Sequence, residues 1–290
     1  MYATFQFQEL IDQALMEDIG TGDLSTRIFP EDLTSLAKLY AKENGIVAGL
    51  ALVEQVFQRV DQRIQVHKLV RDGDEVKVGE VVIELDGPLS TILQGERTAL
   101  NFLQHLSGIA TATKRAVDQV TGLSTCIVDT RKTLPGWRAL QKYAVRVGGG
   151  HNHRFGLYDA VMLKDNHLAA VGGLTEAVQR VRAEIGHMVK IEVECETIEQ
   201  VEDAVACGVD VIMLDNMGIE EMREAVLYID HRAIVEASGG IQEDQLRQVA
   251  ETGVDLISIG ALTHSVKALD FSLDLGEIKA TTRANWERGL

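Results

Sequence analysis

Cysteine is scarce in this chain of 290 residues: Cys126, Cys195 and Cys207 are odd in number and form no CxxC pair. A disulfide framework and a structural zinc site are therefore not suggested, and the three read as small core residues in a reduced cytosol. Proline is equally rare, at three residues, and with 46% hydrophobic and 25% charged residues the composition is that of a soluble globular protein without a disordered tract. Nowhere is there an unbroken apolar run of the roughly 18 residues that a membrane helix needs. The amino terminus, MYATFQFQELIDQALMEDIG, is mixed and acidic rather than basic then apolar, so a cytoplasmic location is expected. Basic residues are outnumbered 28 to 44, and the net charge of −16 repels nucleic acid and anionic membranes at long range. A small molecule is the expected partner, and such a global charge still permits a local basic pocket.

A length of 290 residues fits one large domain or two ordinary ones. Apolar positions at helical spacing over residues 6 to 18, followed by the turn-rich GTGDLST, predict a short helix leading into an extended segment. From Ala37 to Leu93 short β-like runs broken by turns, LAKLYAKENGIVAG and IQVHKLVRDGDEVKVGEVVIELDGPLSTIL, predict a small sheet-bearing domain. VRDGDEVKVGEVVIEL looks like the hairpins of biotinyl and lipoyl carrier domains, but such a carrier needs a lysine at the tip of the next turn. Asp86-Gly87-Pro88 stands there instead, which favours a structural sheet with DG turns. A helical region over about residues 96 to 120 follows.

Beyond it, six short apolar runs alternate with amphipathic helices: STCIVDT (124–130), DAVMLKD (159–165), VKIEVE (189–194), DVIMLDN (210–216), AIVEASGG (233–240) and DLISIGA (255–261). This is the βα alternation, and strands apolar throughout belong to a parallel sheet covered on both faces. Each run ends in a polar or glycine-rich motif: DTRK, LKDNH, EVE, LDN, ASGG, SIGA. Strand carboxyl ends build the active site of a (β/α) barrel, so the six endings point at one mouth and favour a barrel over an open doubly wound sheet. No GxGxxG is present to favour a dinucleotide fold.

Between Arg131 and His167 the acidic trend breaks, with seven Lys or Arg against two acids, a local balance of +5. His151, His153, His167 and the nearby His105 add anion-binding capacity if protonated. The fork of arginine matches carboxylate and phosphate oxygens, so Arg131 at a strand end and Arg154 in HNHR are candidate clamps, beside Lys132 and Lys164. Arg138, Lys142 and Arg146, four apart in one helix, read better as a solvated face. Glu194 and Asp215 end consecutive strands and suit Mg²⁺ that arrives with a substrate, or sugar hydroxyls. Glu192, one pleat earlier on the face of Glu194, either shares that role or lies buried in the barrel. Ser238-Gly239-Gly240 and Ile259-Gly260-Ala261 end the last two strands, where barrels commonly bind phosphate through backbone N–H groups. Two other chemistries are disfavoured. The HNH pattern precedes its strand and no later strand ends in histidine, against a zinc hydrolase, and the arginines around Lys164 exceed what a Schiff-base aldolase needs for a neutral carbonyl.

The motifs ERTALN, DTRKTLPGWR, KYAVRVGGGHNHRFGLYDAVMLKDNH, EVE, MLDN, EASGGI and SIGALTHS together resemble the quinolinate phosphoribosyltransferase family over nearly the whole chain. The resemblance implies an α/β fold: an amino-terminal α/β sandwich domain (1–107), an incomplete (β/α) barrel of six or seven parallel strands (108–268) and a last segment (269–290) returning to the first domain. It implies quinolinate and 5-phosphoribosyl 1-pyrophosphate as substrates, with nicotinate mononucleotide, pyrophosphate and CO₂ as products. It places the dicarboxylate on Arg131, His153, Arg154 and Lys164, with Arg97 reaching in from the partner subunit of an obligate homodimer, or of a higher oligomer. Lys132, Glu194, Asp215, Ser238, Gly239, Gly240 and Gly260 map onto the sugar pyrophosphate site, which Thr130, Ile259 and Ala261 extend. Mg²⁺ comes with the pyrophosphate, near Glu194 and Asp215, and no organic cofactor is implied. Catalytic roles fall to Lys164, His153, Glu194 and Asp215, with the final proton coming from Lys164, His153 or water. Relatives of this fold that use another base, or a molybdenum-linked substrate, explain less well why Arg97, Arg131, Arg154 and Lys164 are all present.

Overall fold

The structure, a computed structural model, describes residues 7–280. They form two compact units, the first of residues 7–111, 139–148 and 266–280, the second of 112–138 and 149–265. No helix among the described residues is long and apolar enough to cross a membrane.

The first unit opens with the helix Gln8–Ile19, which buries Ile11 and Leu15. Strand β1 (Leu33–Ala41) buries every second residue from Leu33 to Ala41, as a period of two requires when one face meets a core. β2 (Gly45–Ile46), β3 (Gln65–Lys68), β4 (Glu75–Val76) and β5 (Val81–Pro88) follow. β1 lies antiparallel between β5 and a closing strand, Phe271–Ala280, with β3 on the far side of β5 and β2 paired only with β4. Residues 281–290 of the expected returning segment lie outside the described residues.

Three details differ from expectation. Leu50–Val60, inside the supposed run of strands, is a helix that buries Leu50, Leu52, Val53, Val56 and Phe57. Asp72 accepts the N–H groups of Gly49 and Leu50 at its start, at 3.1 and 3.0 Å, satisfying amides that a helix end leaves over. Asp86-Gly87-Pro88 is no turn tip but the end of β5, opposite Leu36, Ser35 and Thr34. A Cβ at Gly87 would lie 3.0 Å from the Ile64 Cα, so the glycine serves close backbone approach. The helix Arg138–Val147, which chain order places within 108–268, packs from Ala139 onward with the first unit. There the Tyr143 hydroxyl donates to Asp72 and Gln141 meets the His105 ring at 2.8 Å.

All six expected apolar runs form strands of the second unit: β6 (Cys126–Val128), β7 (Val161–Leu163), β8 (Ile191–Cys195), β9 (Val211–Asp215), β10 (Ile234–Ser238) and β11 (Leu256–Ser258). Every pairing is parallel, in the order β6-β11-β10-β9-β8-β7. The chain steps steadily from β7 to β11 and then joins its last strand to its first, the winding of a barrel. A doubly wound sheet reverses its order at a switch point. β6 and β7 remain the two ends of the sheet, so the barrel is incomplete, and a single parallel bridge from Val128 to His151 extends the β6 edge. Ile127, Val193, Ile212, Leu214, Ala237 and Ile257 are buried, which explains why these strands read as continuous apolar runs.

Chain packing in the first unit is tight at Gly108, where a Cβ would fall 2.3 Å from the carbonyl oxygen of Lys267. Gly108→Ala is expected to cost about 1–3 kcal/mol in denaturant unfolding, as overpacking does. Gly186, with open space around it and no left-handed backbone, should accept alanine within about 0.5 kcal/mol. Equal unfolding midpoints for the two variants would contradict this packing.

Candidate active site

The alternation of strand residues decides which side chains share a face. In register, Met162 lies beside Glu192, Glu194 beside Met213, Met213 beside Glu236 and Asp215 beside Ser238. Neighbours in register point the same way, so Glu192, Glu194, Asp215, Glu236 and Ser238 share one face of the sheet, Asp215 and Ser238 being the last residues of their strands. Lys164 follows β7 immediately, and its ammonium is ion-paired with Glu194. Burial, and then the charge of Glu194, push the Asp215 carboxyl above its ordinary value, while Lys164, Lys132 and a hydrogen bond from Asn216 oppose the shift. The structure thus brings together Lys164, Glu194 and Asp215 around one another, as the strand endings suggested.

Gly239 and Gly260 have separate reasons to be glycine. Gly239 has φ +95° and a Cβ there would lie 2.3 Å from the Asn216 side-chain oxygen and 2.7 Å from its backbone nitrogen. Its absence lets β9 and β10 converge beyond their ends, where the Asn216 N–H donates to the Ser238 carbonyl at 3.1 Å. Gly240 has φ +60° and open space where a side chain would be. At Gly260 a Cβ would lie 2.8 Å from Lys132 Cδ, so this glycine makes room for the lysine stem. The Lys132 backbone is held on both sides, its N–H by the Thr130 hydroxyl at 3.0 Å and its carbonyl by the Thr263 hydroxyl at 2.7 Å. Ile259 donates to the Val128 carbonyl, joining β11 to β6 beyond the paired residues, and Ala261 opens the short helix Ala261–His264.

Arg131 and Arg154, the candidate clamps, are partly buried, and the Nε of each is buried without a hydrogen-bond partner. Arg154 is otherwise fixed through Nη1 to the Ala160 carbonyl at 3.0 Å and Nη2 to Met162 Sδ at 3.6 Å. Burial and the nearby charge of Arg131 hold its guanidinium below the ordinary arginine value. Arg138 does not lie on a solvated face: it donates to the Thr133 hydroxyl, the Phe155 carbonyl and the Arg131 carbonyl, tying the DTRK loop to the HNHRF loop. Lys142 is buried as well, and of the three spaced cations only Arg146 is exposed. Asp129, fully buried, accepts the His153 backbone N–H at 2.9 Å and the Asn152 side-chain amide.

The histidines divide. His153 Nε2 lies 3.1 Å from Glu192 and 3.4 Å from Glu236, while its Nδ1 accepts the Arg154 N–H at 2.7 Å. Burial disfavours a charged ring, but the two carboxylates outweigh it and would push His153 up to about 10. The amide N–H directed at Nδ1 opposes that second proton, and the geometry places the hydrogen of a neutral ring on Nε2. His167 is used locally, accepting the Lys164 N–H at 3.0 Å through Nδ1, and His105 belongs to the first unit. Glu192 is buried in the barrel under His153 and so does not share the position of Glu194. Sequence reasoning misses Glu236, because the glycines dominate EASGG; its position two residues before Ser238, on the same face, is the available signal. Arg97 is exposed on the helix Leu89–Gln119, in the part that belongs to the first unit. Burial pushes the Cys195 thiol up to about 12, which removes it as a nucleophile.

A parallel barrel with clustered cations and paired carboxylates at its strand ends defines an enzyme for an anionic small molecule. A sequence profile of the quinolinate phosphoribosyl transferase C-terminal domain matches residues 109–274, and one of its N-terminal domain matches residues 23–107. The chain is 48% identical over 272 residues to a probable nicotinate-nucleotide pyrophosphorylase (carboxylating) of Bacillus subtilis, covering 93% of each chain. It is 41% identical over 294 residues to the chloroplastic nicotinate-nucleotide pyrophosphorylase (carboxylating) of Arabidopsis thaliana, covering 94% of this chain and 84% of that one. NadC from Streptococcus pyogenes shares the structure with a TM-score of 0.92 at 42% identity, covering 96% of this chain and 99% of that one. The chain belongs to the quinolinate phosphoribosyltransferase family and is a phosphoribosyltransferase.

Asp129 carries the HNHR segment, so its loss should be felt in stability. Asp129→Ala strands buried donors and is expected to cost about 1–3 kcal/mol by chemical denaturation. A variant as stable as the parent would show that the Asn152 and His153 amides find other acceptors.

Proposed function

We propose that this chain joins quinolinate to 5-phosphoribosyl 1-pyrophosphate and releases nicotinate mononucleotide, pyrophosphate and CO₂, a step of NAD biosynthesis. The observation that carries this reading is the pair of clustered guanidiniums, Arg131 and Arg154, each with a buried Nε that no protein group receives. Buried donors without partners are rare and costly in native proteins, and a dicarboxylate offers acceptors for both arginines. In this reading Lys164 completes the base site, and Arg97 enters it from the partner subunit of a homodimer. The enzyme works in the cytoplasm.

Thr130, Lys132, Glu194, Asp215, Ser238, Gly239, Gly240, Ile259, Gly260 and Ala261 form the sugar pyrophosphate site, where the open backbone at Gly240 leaves room for phosphate oxygens. Asp215, pushed up by burial and by Glu194, is crowded by negative charge in a way that a divalent cation relieves. Glu194 and Asp215 would hold Mg²⁺, directly or through water, together with the pyrophosphate. When bound, Mg²⁺ supplies charge neutralisation at the leaving group.

The ring nitrogen of quinolinate attacks the anomeric carbon as the carbon–oxygen bond to pyrophosphate breaks, through an oxocarbenium-like state. Glu194 and Asp215 favour that cationic ribose by charge and orient its hydroxyls, while Lys132 stabilises the departing pyrophosphate. The ribosylated pyridinium then accepts the electron pair left when the adjacent carboxylate departs as CO₂, so the ring itself is the electron sink. A proton replaces the lost group. Both His153 ring nitrogens are engaged within the protein, which leaves Lys164 or water as the donor. The protein otherwise acts by holding two anions in reacting geometry.

Arg131→Ala and Arg154→Ala are each expected to raise the quinolinate KM about tenfold to a hundredfold, the value of a lost charged hydrogen bond, with a smaller effect on the KM of the sugar pyrophosphate. Equal losses for both substrates would refute this division of the site.

A further inference from the structure

Three ionisable side chains from three separate segments, two of them buried and one partly buried, meet beside Arg154. Glu192 comes from β8, Glu236 from β10, and His153 from the loop that follows the Val128–His151 bridge. Their ligand atoms all lie within 4.8 Å of one another, and the two carboxylates are 4% and 1% exposed. Neither oxygen of Glu236 has a hydrogen-bond partner, although Oε2 stands 3.4 Å from His153 Nε2. Native structures seldom keep a buried carboxylate so poorly satisfied unless it has a use.

Such a trio has the composition of a metal site, but its hydrogen bonding does not suit one. A metal bound at Nε2 requires the ring hydrogen on Nδ1, directed at an acceptor. Here Nδ1 faces the Arg154 backbone N–H at 2.7 Å, a donor facing what would be another donor. The arrangement is consistent only with Nδ1 as acceptor and the hydrogen on Nε2, lodged between Glu192 and Glu236.

We propose that Glu192 and Glu236 are positioning residues for the dicarboxylate substrate: they hold the Nε2–H tautomer of His153, whose Nδ1 then anchors the backbone of Arg154. The remaining groups around this chain complete the hold. Asp129 takes the His153 N–H, and the Ala160 carbonyl and Met162 sulfur fix the tip of Arg154. The guanidinium is thus located from its backbone and from its far end, with Nε left for the substrate. Two carboxylates on strands separated by β9 fix the ring more narrowly than one would, because each limits rotation of the imidazole toward the other. This role rests on the reading that Arg154 receives a substrate carboxylate; the tautomer itself does not depend on it.

The test has two parts. Nitrogen-15 NMR of the full-length protein with labelled histidine, without substrate and at neutral pH, is expected to show His153 protonated at Nε2 and unprotonated at Nδ1. A ring protonated at both nitrogens, or at Nδ1 alone, would overturn the proposal. Steady-state kinetics then compares Glu236→Ala and Glu192→Ala with the isosteric Glu192→Gln. The alanine variants should raise the quinolinate KM about tenfold or more and leave the sugar pyrophosphate KM within about twofold, one decade being the scale of a single lost orienting hydrogen bond. Glu192→Gln keeps an oxygen acceptor for the Nε2 hydrogen and should recover most of the loss of Glu192→Ala. Equal change in both KM values, or no recovery with glutamine, would contradict positioning. Should the alanine variants fail to fold, the glutamine variant and the tautomer still decide. A protein that shows the Nε2–H tautomer but does not turn over quinolinate would refute the proposed reaction, not the tautomer.

Discussion

Like charges held close together in a low-dielectric surrounding repel strongly, and the second unit is organised around keeping Arg131 and Arg154 in that condition. A protein of net charge −16 can tolerate a local basic centre because the wider acidic field offsets it, but the centre still has to be held in shape. Arg138 does this for the loops by gripping the Arg131 and Phe155 carbonyls. Asp159 does it for the next turn: the Phe155 and Gly156 N–H groups keep its carboxyl below the usual range although burial works against them. In the proposed reaction an entering anion relieves this repulsion, so affinity for the substrate and stability of the empty site would pull in opposite directions.

The carboxylates divide the labour by depth. Near the strand ends Glu194 and Asp215 face Lys164 and Lys132, where the proposed reaction has its changing charge. Glu192 and Glu236 are more fully buried and lie against each other and against His153. Strand periodicity produces this separation directly: Glu192 and Glu194 are one pleat apart on the same strand, and a two-residue step moves a side chain along the barrel axis without changing its face.

Much of the barrel was legible because parallel strands covered on both faces must be apolar throughout, so each run from STCIVDT to DLISIGA announced itself. The strand-end site was legible for the same reason: a polar residue after such a run stands at the mouth. What escaped notice depended on contacts far apart in sequence. The helix Leu50–Val60 was hidden by apolar residues that also suit a strand, and its start is capped by Asp72, more than twenty residues away. Spacing could not place Arg138 between two loop carbonyls, nor assign residues 139–148 to the first unit through Asp72 and His105. His153 was picked out as a group meeting substrate, whereas the structure turns both its nitrogens inward, one to Arg154 and one to two glutamates.

In the proposed reaction the cationic site selects a dicarboxylate, one carboxylate of which is then lost. Its most direct measurement is the ratio of CO₂ to pyrophosphate formed when the purified protein meets quinolinate, phosphoribosyl pyrophosphate and Mg²⁺, with nicotinate as the parallel base. Equal amounts of CO₂, pyrophosphate and nicotinate mononucleotide are expected from quinolinate, and no comparable turnover of nicotinate. Pyrophosphate release with nicotinate and silence with quinolinate would contradict that reaction.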